Sequence, residues 1–239
     1  HGSAIGDLNG DLYPDTYFCN GGPSSYPNSN GTNSLFMSQK TANHVLRVTA
    51  TGTLSNRFGI GANVSVFLPG GRAIHRTFTA GKGFLNTDEP ALYIGLGADS
   101  SVDYLQIVWP NGNYQRVLAP SVDTSLSFTE TGIKVTGTPA LGGLMDISGF
   151  GPGDDQVTLY YSTNPDFLIS PANGGVLELQ APLISLGSFN LDAAGFYTGT
   201  FTLPSDPLLS GTTIYMQAFF ENLVSGAKGL STRVDIAIP

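Results

Sequence analysis

The chain has 239 residues, with 10 Lys and Arg against 18 Asp and Glu, a net charge of −8. Charged residues make up only 12% of it, where roughly 25% is usual for soluble domains. The shortage of basic residues leaves no electrostatic footprint for nucleic acid, and no apolar run approaches the roughly 20 residues of a membrane-spanning helix. Neither nucleic-acid binding nor membrane insertion is expected.

The first predicted element is the stretch "IGDLNGDLYPDTYF", Ile5 to Phe18, in which Asp7, Asn9, Asp11 and Asp15 fall at alternate positions. Such spacing lets a tight loop turn successive oxygen side chains toward one hard cation. The other reading is an ordinary polar turn. Cys19 follows two aromatics in a strand pattern and is read as a small buried core residue; as the only cysteine it has no internal disulfide partner. Because the chain opens at His1 with no charged-then-apolar leader, a mature or trimmed product without its signal segment is expected, with an extracellular location.

Short alternating runs follow: "HVLRVTA" from His44, "NVSVFL" from Asn63, "RAIHRTF" from Arg72, "ALYIGL" from Ala91 and "YLQIVW" from Tyr104. Each is bounded by Gly, Pro, Asn or Asp, an antiparallel β signature. In "WPNGNYQRV" the pair Asn111-Gly112 predicts a hairpin turn with positive φ angles. "LAPSVDTSLSFTETG" adds a strand and a turn ending at Gly132, where a domain boundary is placed. Beyond it "IKVTG", "QVTLYYST", "VLELQ", "FYTGTFTLP", "TIYMQAFFEN" and "TRVDIAIP" predict about six or seven strands of a sandwich. The run from Tyr215 to Glu221 carries apolar side chains on both faces and is expected to be a central strand.

The opening "HGSAIGDLNGDLYPDTYFCNGG" resembles an FG-GAP calcium repeat of the integrin-propeller type. The stretches "SNRFGIGA", "YIGLG" and "VWPNG", in that order, resemble the UnbV/ASPIC domain of secreted proteins of the cartilage acidic protein type. The resemblance covers about the first 130 residues and implies 1–37 as a single FG-GAP-like repeat and 38–132 as an UnbV/ASPIC-like β domain; the strand pattern makes 133–239 a C-terminal β-sandwich of Ig-like kind. The resemblance also implies structural calcium, with Asp7, Asn9, Asp11 and Asp15 as side-chain ligands and the Tyr13 carbonyl between them. One position departs from the family pattern. Leu12 stands where a Gly is favoured, because the sixth loop position takes a positive φ.

Catalytic patterns are thin. His1, His44 and His75 show no zinc-protease arrangement, and no G-x-S-x-G elbow is present. His44 and His75 read as structural strand residues, and Asp88-Glu89 and Asp154-Asp155 read as solvated turns. Asn30 and Asn63 head Asn-x-Ser/Thr sequons open to glycosylation. Trp109 reads as structural; Tyr104, Tyr114, Tyr160, Tyr161 and Tyr197 are weighed with it as a sugar-stacking platform and read mostly as core or cross-strand pairs. The expected class is an all-β, non-enzymatic extracellular protein, structural or adhesive, that self-associates through β edges into a layer or filament. A carbohydrate-binding module contacting a glycan or cell-surface partner is the alternative, with a hydrolase a distant third.

Overall fold

The computed structural model describes residues 2–21, 31–83, 86–151, 155–170, 175–222, 228–231 and 233–239. It is all-β. In chain order the strands of the first half are β1 (Gly2–Gly6), β2 (Asp15–Cys19), β3 (Ser34–Phe36), β4 (His44–Thr51), β5 (Asn63–Phe67), β6 (Ala73–Thr77), β7 (Ala91–Gly97), β8 (Tyr104–Val108), β9 (Tyr114–Leu118) and β10 (Thr124–Thr129). Those of the second half are β11 (Gly132–Thr136), β12 (Leu144–Phe150), β13 (Asp155–Ser162), β14 (Pro165–Ser170), β15 (Gly175–Leu179), β16 (Ile184–Asn190), β17 (Phe196–Thr202), β18 (Thr213–Asn222), β19 (Lys228–Leu230) and β20 (Val234–Ala237). Each run named in the sequence contributes a strand. β3, β12, β14, β16 and β19 lie outside those runs; "LMDISGF" and "ISLGSFN" carry Gly and Ser where alternation would show.

Two compact units divide the chain. One comprises residues 1–51, 56–105 and 119–128; the other comprises 52–55, 106–118 and 129–239. In the first unit β1, β2 and β3 form an antiparallel sheet, β4 lies between β10 and β7, and β5 pairs with β6. Alternation fixes the buried face: Val64 and Val66 of β5 and Leu92, Ile94 and Leu96 of β7 are buried while their neighbours are not. Every second side chain points inward because the strand repeat is two residues. Each such side chain contributes roughly 1.5–3 kcal/mol by leaving water.

The second unit is a two-layer sandwich. Its core joins Ile133 of β11, Met145 and Ile147 of β12 and Phe201 of β17 to Val157, Leu159 and Tyr161 of β13 and Ile214, Met216, Ala218 and Phe220 of β18. The first three strands make one sheet, β11-β12-β17, and the others belong to the sheet β16-β13-β18, which β19 and β20 extend by pairing with β18. β18 is the central strand the sequence predicts. Its second face is also closed, since Gln217 is buried and accepts the Glu178 N–H at 2.9 Å.

Three local readings need correction. Cys19 is exposed at the end of β2, where its cross-strand partner is Gly2, which has no side chain to cover it. At the β8–β9 hairpin only Gly112 takes a positive φ, 91°, while Asn111 does not. Gly112 N–H closes the turn on the Trp109 carbonyl at 2.9 Å, an ordinary turn followed by a left-handed glycine. Asp155 opens β13 and is buried, so it is no solvated turn residue; Asp154 lies outside the described residues.

Candidate metal centre

The β1–β2 hairpin pairs Gly6 with Asp15 and leaves residues 7–14 as its loop. Asp7 sits at the centre of the curl: its Oδ1 accepts the N–H groups of Gly10 at 2.7 Å and Asp11 at 3.1 Å, and its Oδ2 accepts that of Leu12 at 3.0 Å. Asn9 and Asp11 repeat the device over shorter spans. The Asp11 N–H donates to Asn9 Oδ1 at 3.1 Å, Asn9 Nδ2 to Asp11 Oδ2 at 3.0 Å, and the Tyr13 N–H to Asp11 Oδ1 at 2.8 Å. Asp15 is fully buried and closes the loop by accepting from Leu8 N–H at 2.9 Å and Ser38 N–H at 2.8 Å. Short Asp and Asn side chains favour this winding because they reach backbone donors two to five residues on.

Leu12 has φ 74°, in the left-handed region. This is the conformation the sixth loop position demands and for which glycine is suited, so the sequence departure at Leu12 is carried as backbone strain of roughly 1 kcal/mol. The loop is tied down at its far side by the Tyr13 hydroxyl, which donates to the Asn43 carbonyl at 2.7 Å.

A second carboxylate supports the hairpin. Glu89 accepts the Asp7 N–H at 3.0 Å and also takes bonds from Arg47 and the Tyr93 hydroxyl. Ile5, on the outer edge of β1, donates its N–H to Asp88 at 3.0 Å and receives the Glu89 N–H at its carbonyl at 2.8 Å. Asp88-Glu89 is therefore a clamp on β1, where the sequence reading had a solvated turn. Burial pushes the Glu89 pKa up, but the bonds from Tyr93, Asp7 N–H and Arg47 outweigh it and hold the carboxyl below its ordinary value. Burial, with the bond to Glu89, pushes the Tyr93 hydroxyl up to about 12.

The donor set of Asp7, Asn9, Asp11, Asp15 and the Tyr13 carbonyl is all oxygen, the chemistry that calcium takes and that zinc or copper does not prefer. The backbone winding and the left-handed Leu12 fit such an ion, and among the described residues the three aspartates have no ion-pair partner. Their oxygens are turned onto backbone N–H groups, and among the described residues no group of three or more His, Cys, Asp or Glu is gathered closely enough to hold a metal. Each carboxylate oxygen has two lone pairs, so Asp7 Oδ2, Asp11 Oδ1 and both Asp15 oxygens, with one N–H bond each, keep one for a cation, whereas Asp7 Oδ1, with two, keeps none.

Other predicted positions are dispersed. Asn63 is exposed at the start of β5, and its Oδ1 accepts from the Thr77 hydroxyl at 2.7 Å; Asn30 lies outside the described residues. His44 Nδ1 lies 2.8 Å from Asp123, a partner 79 positions away that no local spacing could reveal. His75 Nδ1 lies 2.8 Å from Ser65 Oγ across the β5–β6 pair. The aromatics do not form a platform: Tyr104 stacks on Phe67 at 4.2 Å, Tyr197 on Phe189 at 4.0 Å, and Trp109 and Tyr161 are buried. The sequence reading missed Glu130. It is fully buried, accepts N–H groups from Thr53, Leu54 and Ser55, and takes an Asn111 Nδ2 bond at 2.7 Å.

The fold and the loop define an all-β chain of two units with an acidic oxygen-rich hairpin at its start. Within it, the family model described as ASPIC and UnbV matches residues 52–135. No curated protein sequence matches the chain. Solved structures that align with it include the Escherichia coli alpha-2-macroglobulin activated by porcine elastase, at 14% identity and TM-score 0.30, covering 76% of this chain and 18% of that one. The chain thus spans about a fifth of that protein. BcpA, the major pilin subunit of Bacillus cereus, aligns at 12% identity and TM-score 0.29 over 82% of this chain and 69% of its own. SpaD, the major pilin of Corynebacterium diphtheriae, aligns at 10% identity and TM-score 0.30 over 82% and 67%. Scores of this size establish neither a shared fold nor a shared role. No helix among the described residues is long and apolar enough to cross a membrane.

Proposed function

We propose that this chain is a non-catalytic structural or adhesive segment of an extracellular protein, stiffened by a calcium ion in the Asp7–Asp15 loop. The observation that carries the reading is Leu12 at φ 74°, inside a loop whose four polar side chains alternate along the chain. A non-glycine residue held in the left-handed region persists where something offsets its strain, and a divalent cation bound by the three aspartates would do so. Asp7, Asn9, Asp11, Asp15 and the Tyr13 carbonyl would hold the ion. Its part is to neutralise three carboxylates and pin β1 to β2.

Self-association belongs to the same reading. Ile5, Phe18 and Phe36 lie on one face of the β1-β2-β3 sheet, Tyr17 and Leu35 on the other, and all five are exposed. Apolar side chains on both faces of a thin sheet favour coverage by a further layer. The outer edge of β1 is partly engaged by Asp88 and Glu89 at Ile5 and Asp7, so the faces, and the edge of β3 that pairs with no strand among the described residues, are the better docking surfaces. Calorimetry with and without chelator tests the metal. A melting temperature that chelator leaves unchanged, with no heat on calcium titration, would reduce the loop to a polar turn.

A further inference from the structure

Beside the hairpin, and wholly within the first unit, lies a cleft of about 230 Å³. Ile5, Phe78 and Leu92 give it apolar wall, and Arg76, Lys82 and Asp88 give it charge. The volume falls below the roughly 300–1,000 Å³ of pockets for drug-sized ligands and suits something as small as one sugar ring.

The charges here are unequally engaged. Glu89, also in the cleft, is held by Arg47, Tyr93 and the Asp7 N–H, and Asp88 Oδ1 accepts the Ile5 N–H. Arg76 donates Nη1 to the neighbouring His75 carbonyl at 2.9 Å, which leaves its other donors open, and Lys82 has no hydrogen-bond or ion-pair partner among the described residues. Two of the chain's ten basic residues thus stand at one cleft without a carboxylate partner, in a chain of net charge −8. Planar guanidinium and flexible ammonium donors suit an incoming carboxylate. The overall negative charge disfavours a polyanion and leaves a singly charged ligand as the better match.

We propose that this cleft binds the carboxylate of a single uronic-acid residue at the end of a glycan: Arg76 and Lys82 take the carboxylate, the free Asp88 oxygen takes a ring hydroxyl, and Ile5 and Leu92 meet its C–H face. The site goes beyond the structural reading and does not use the loop's metal. NMR titration of the whole chain in calcium-containing buffer, with methyl glucuronide, methyl glucoside and acetate as probes, tests it. Glucuronide is expected to shift amides of Arg76, Lys82 and Leu92 and to bind at least about tenfold tighter than either other probe. The Arg76→Ala/Lys82→Ala variant, altered only at exposed positions, should keep the wild-type spectrum elsewhere and lose at least about tenfold in glucuronide affinity. Equal binding of acetate overturns the sugar part, equal binding of glucoside overturns the carboxylate part, and no shifts with glucuronide, or affinity unchanged in the double variant, overturns the site. A flat calorimetric response to calcium with intact glucuronide binding would separate failure of the metal reading from failure of this one.

Discussion

Glu130 and Ser55, 75 positions apart in sequence, are joined at two points: Ser55 donates its N–H to Glu130 Oε2 at 2.7 Å and its hydroxyl to Oε1 at 2.9 Å. The same carboxylate takes the Thr53 and Leu54 N–H groups, both at 2.9 Å. Three successive backbone donors aimed at one oxygen fix the path of residues 52–55, and a neutral amide cannot reproduce the arrangement because half of it donates.

Glu130→Gln should therefore destabilise the protein by about 1–3 kcal/mol, since one orientation of the amide takes the acceptor from the Thr53, Leu54 and Ser55 N–H groups and the other turns its donor end on Asn111 Nδ2. Urea denaturation reads this directly. A change below about 0.5 kcal/mol, the size of a neutral surface substitution, would show that water replaces the carboxylate without loss.

At Leu12 the expected sign is reversed. Leu12→Gly removes the left-handed strain, and the chelated protein should gain up to about 1 kcal/mol, partly offset by the greater freedom of glycine in the unfolded chain. Differential scanning calorimetry in chelator checks it; a lower melting temperature would mean that the Leu12 side chain contributes packing that outweighs the strain.

Stability should also follow pH at both ends. Tyr93 is raised from 10 to about 12 by burial and by its bond to Glu89. A raised folded-state value means that its contribution is complete below pH 10 and is lost as the pH climbs toward 12. Asp123 has the opposite sign: the His44 bond, then the Val45 N–H, hold its pKa below the ordinary aspartate value. Its contribution is present above that value and is lost as pH falls through the depressed one. Tyr93→Phe should flatten the alkaline limb of a melting curve against pH, and Asp123→Asn the acid limb; limbs of unchanged slope would assign the losses to other groups.

Sheet approach in the second unit sets a steric limit. A Cβ at Gly149 would come 2.7 Å from a ring carbon of Phe189, so β12 passes close beneath β16. Gly149→Ala should cost about 1–3 kcal/mol by overpacking. Pairing it with Phe189→Leu should recover part of the loss, whereas equal loss in single and double variants would place the strain in the backbone of β12.

If the exposed faces of the first sheet mediate self-association, Phe18→Ser/Phe36→Ser should lower the weight-average mass seen by light scattering at high concentration. A wild type of one chain mass at every concentration would end that reading.

By itself the sequence determined what has a local cause. Period-two alternation in "NVSVFL" and "ALYIGL" set which side chains of β5 and β7 turn inward, because successive residues of an extended chain point to opposite faces whatever surrounds them. Asp7, Asn9 and Asp11 set the winding of their loop for a similar reason: their side chains bond backbone donors two to five residues on, and Leu12 takes the positive φ of the sixth position. What only the tertiary structure decided is what covers each element. Cys19 looks like core in its strand but is exposed, its cross-strand partner being Gly2, which has no side chain to cover it. Asp88 and Glu89 look like a solvated turn but clamp β1, and Glu130, which carries no local signal, anchors a loop 75 positions away. Coverage and long-range hydrogen bonding depend on which segments meet after the chain has closed large loops, and no window of neighbouring residues contains that information.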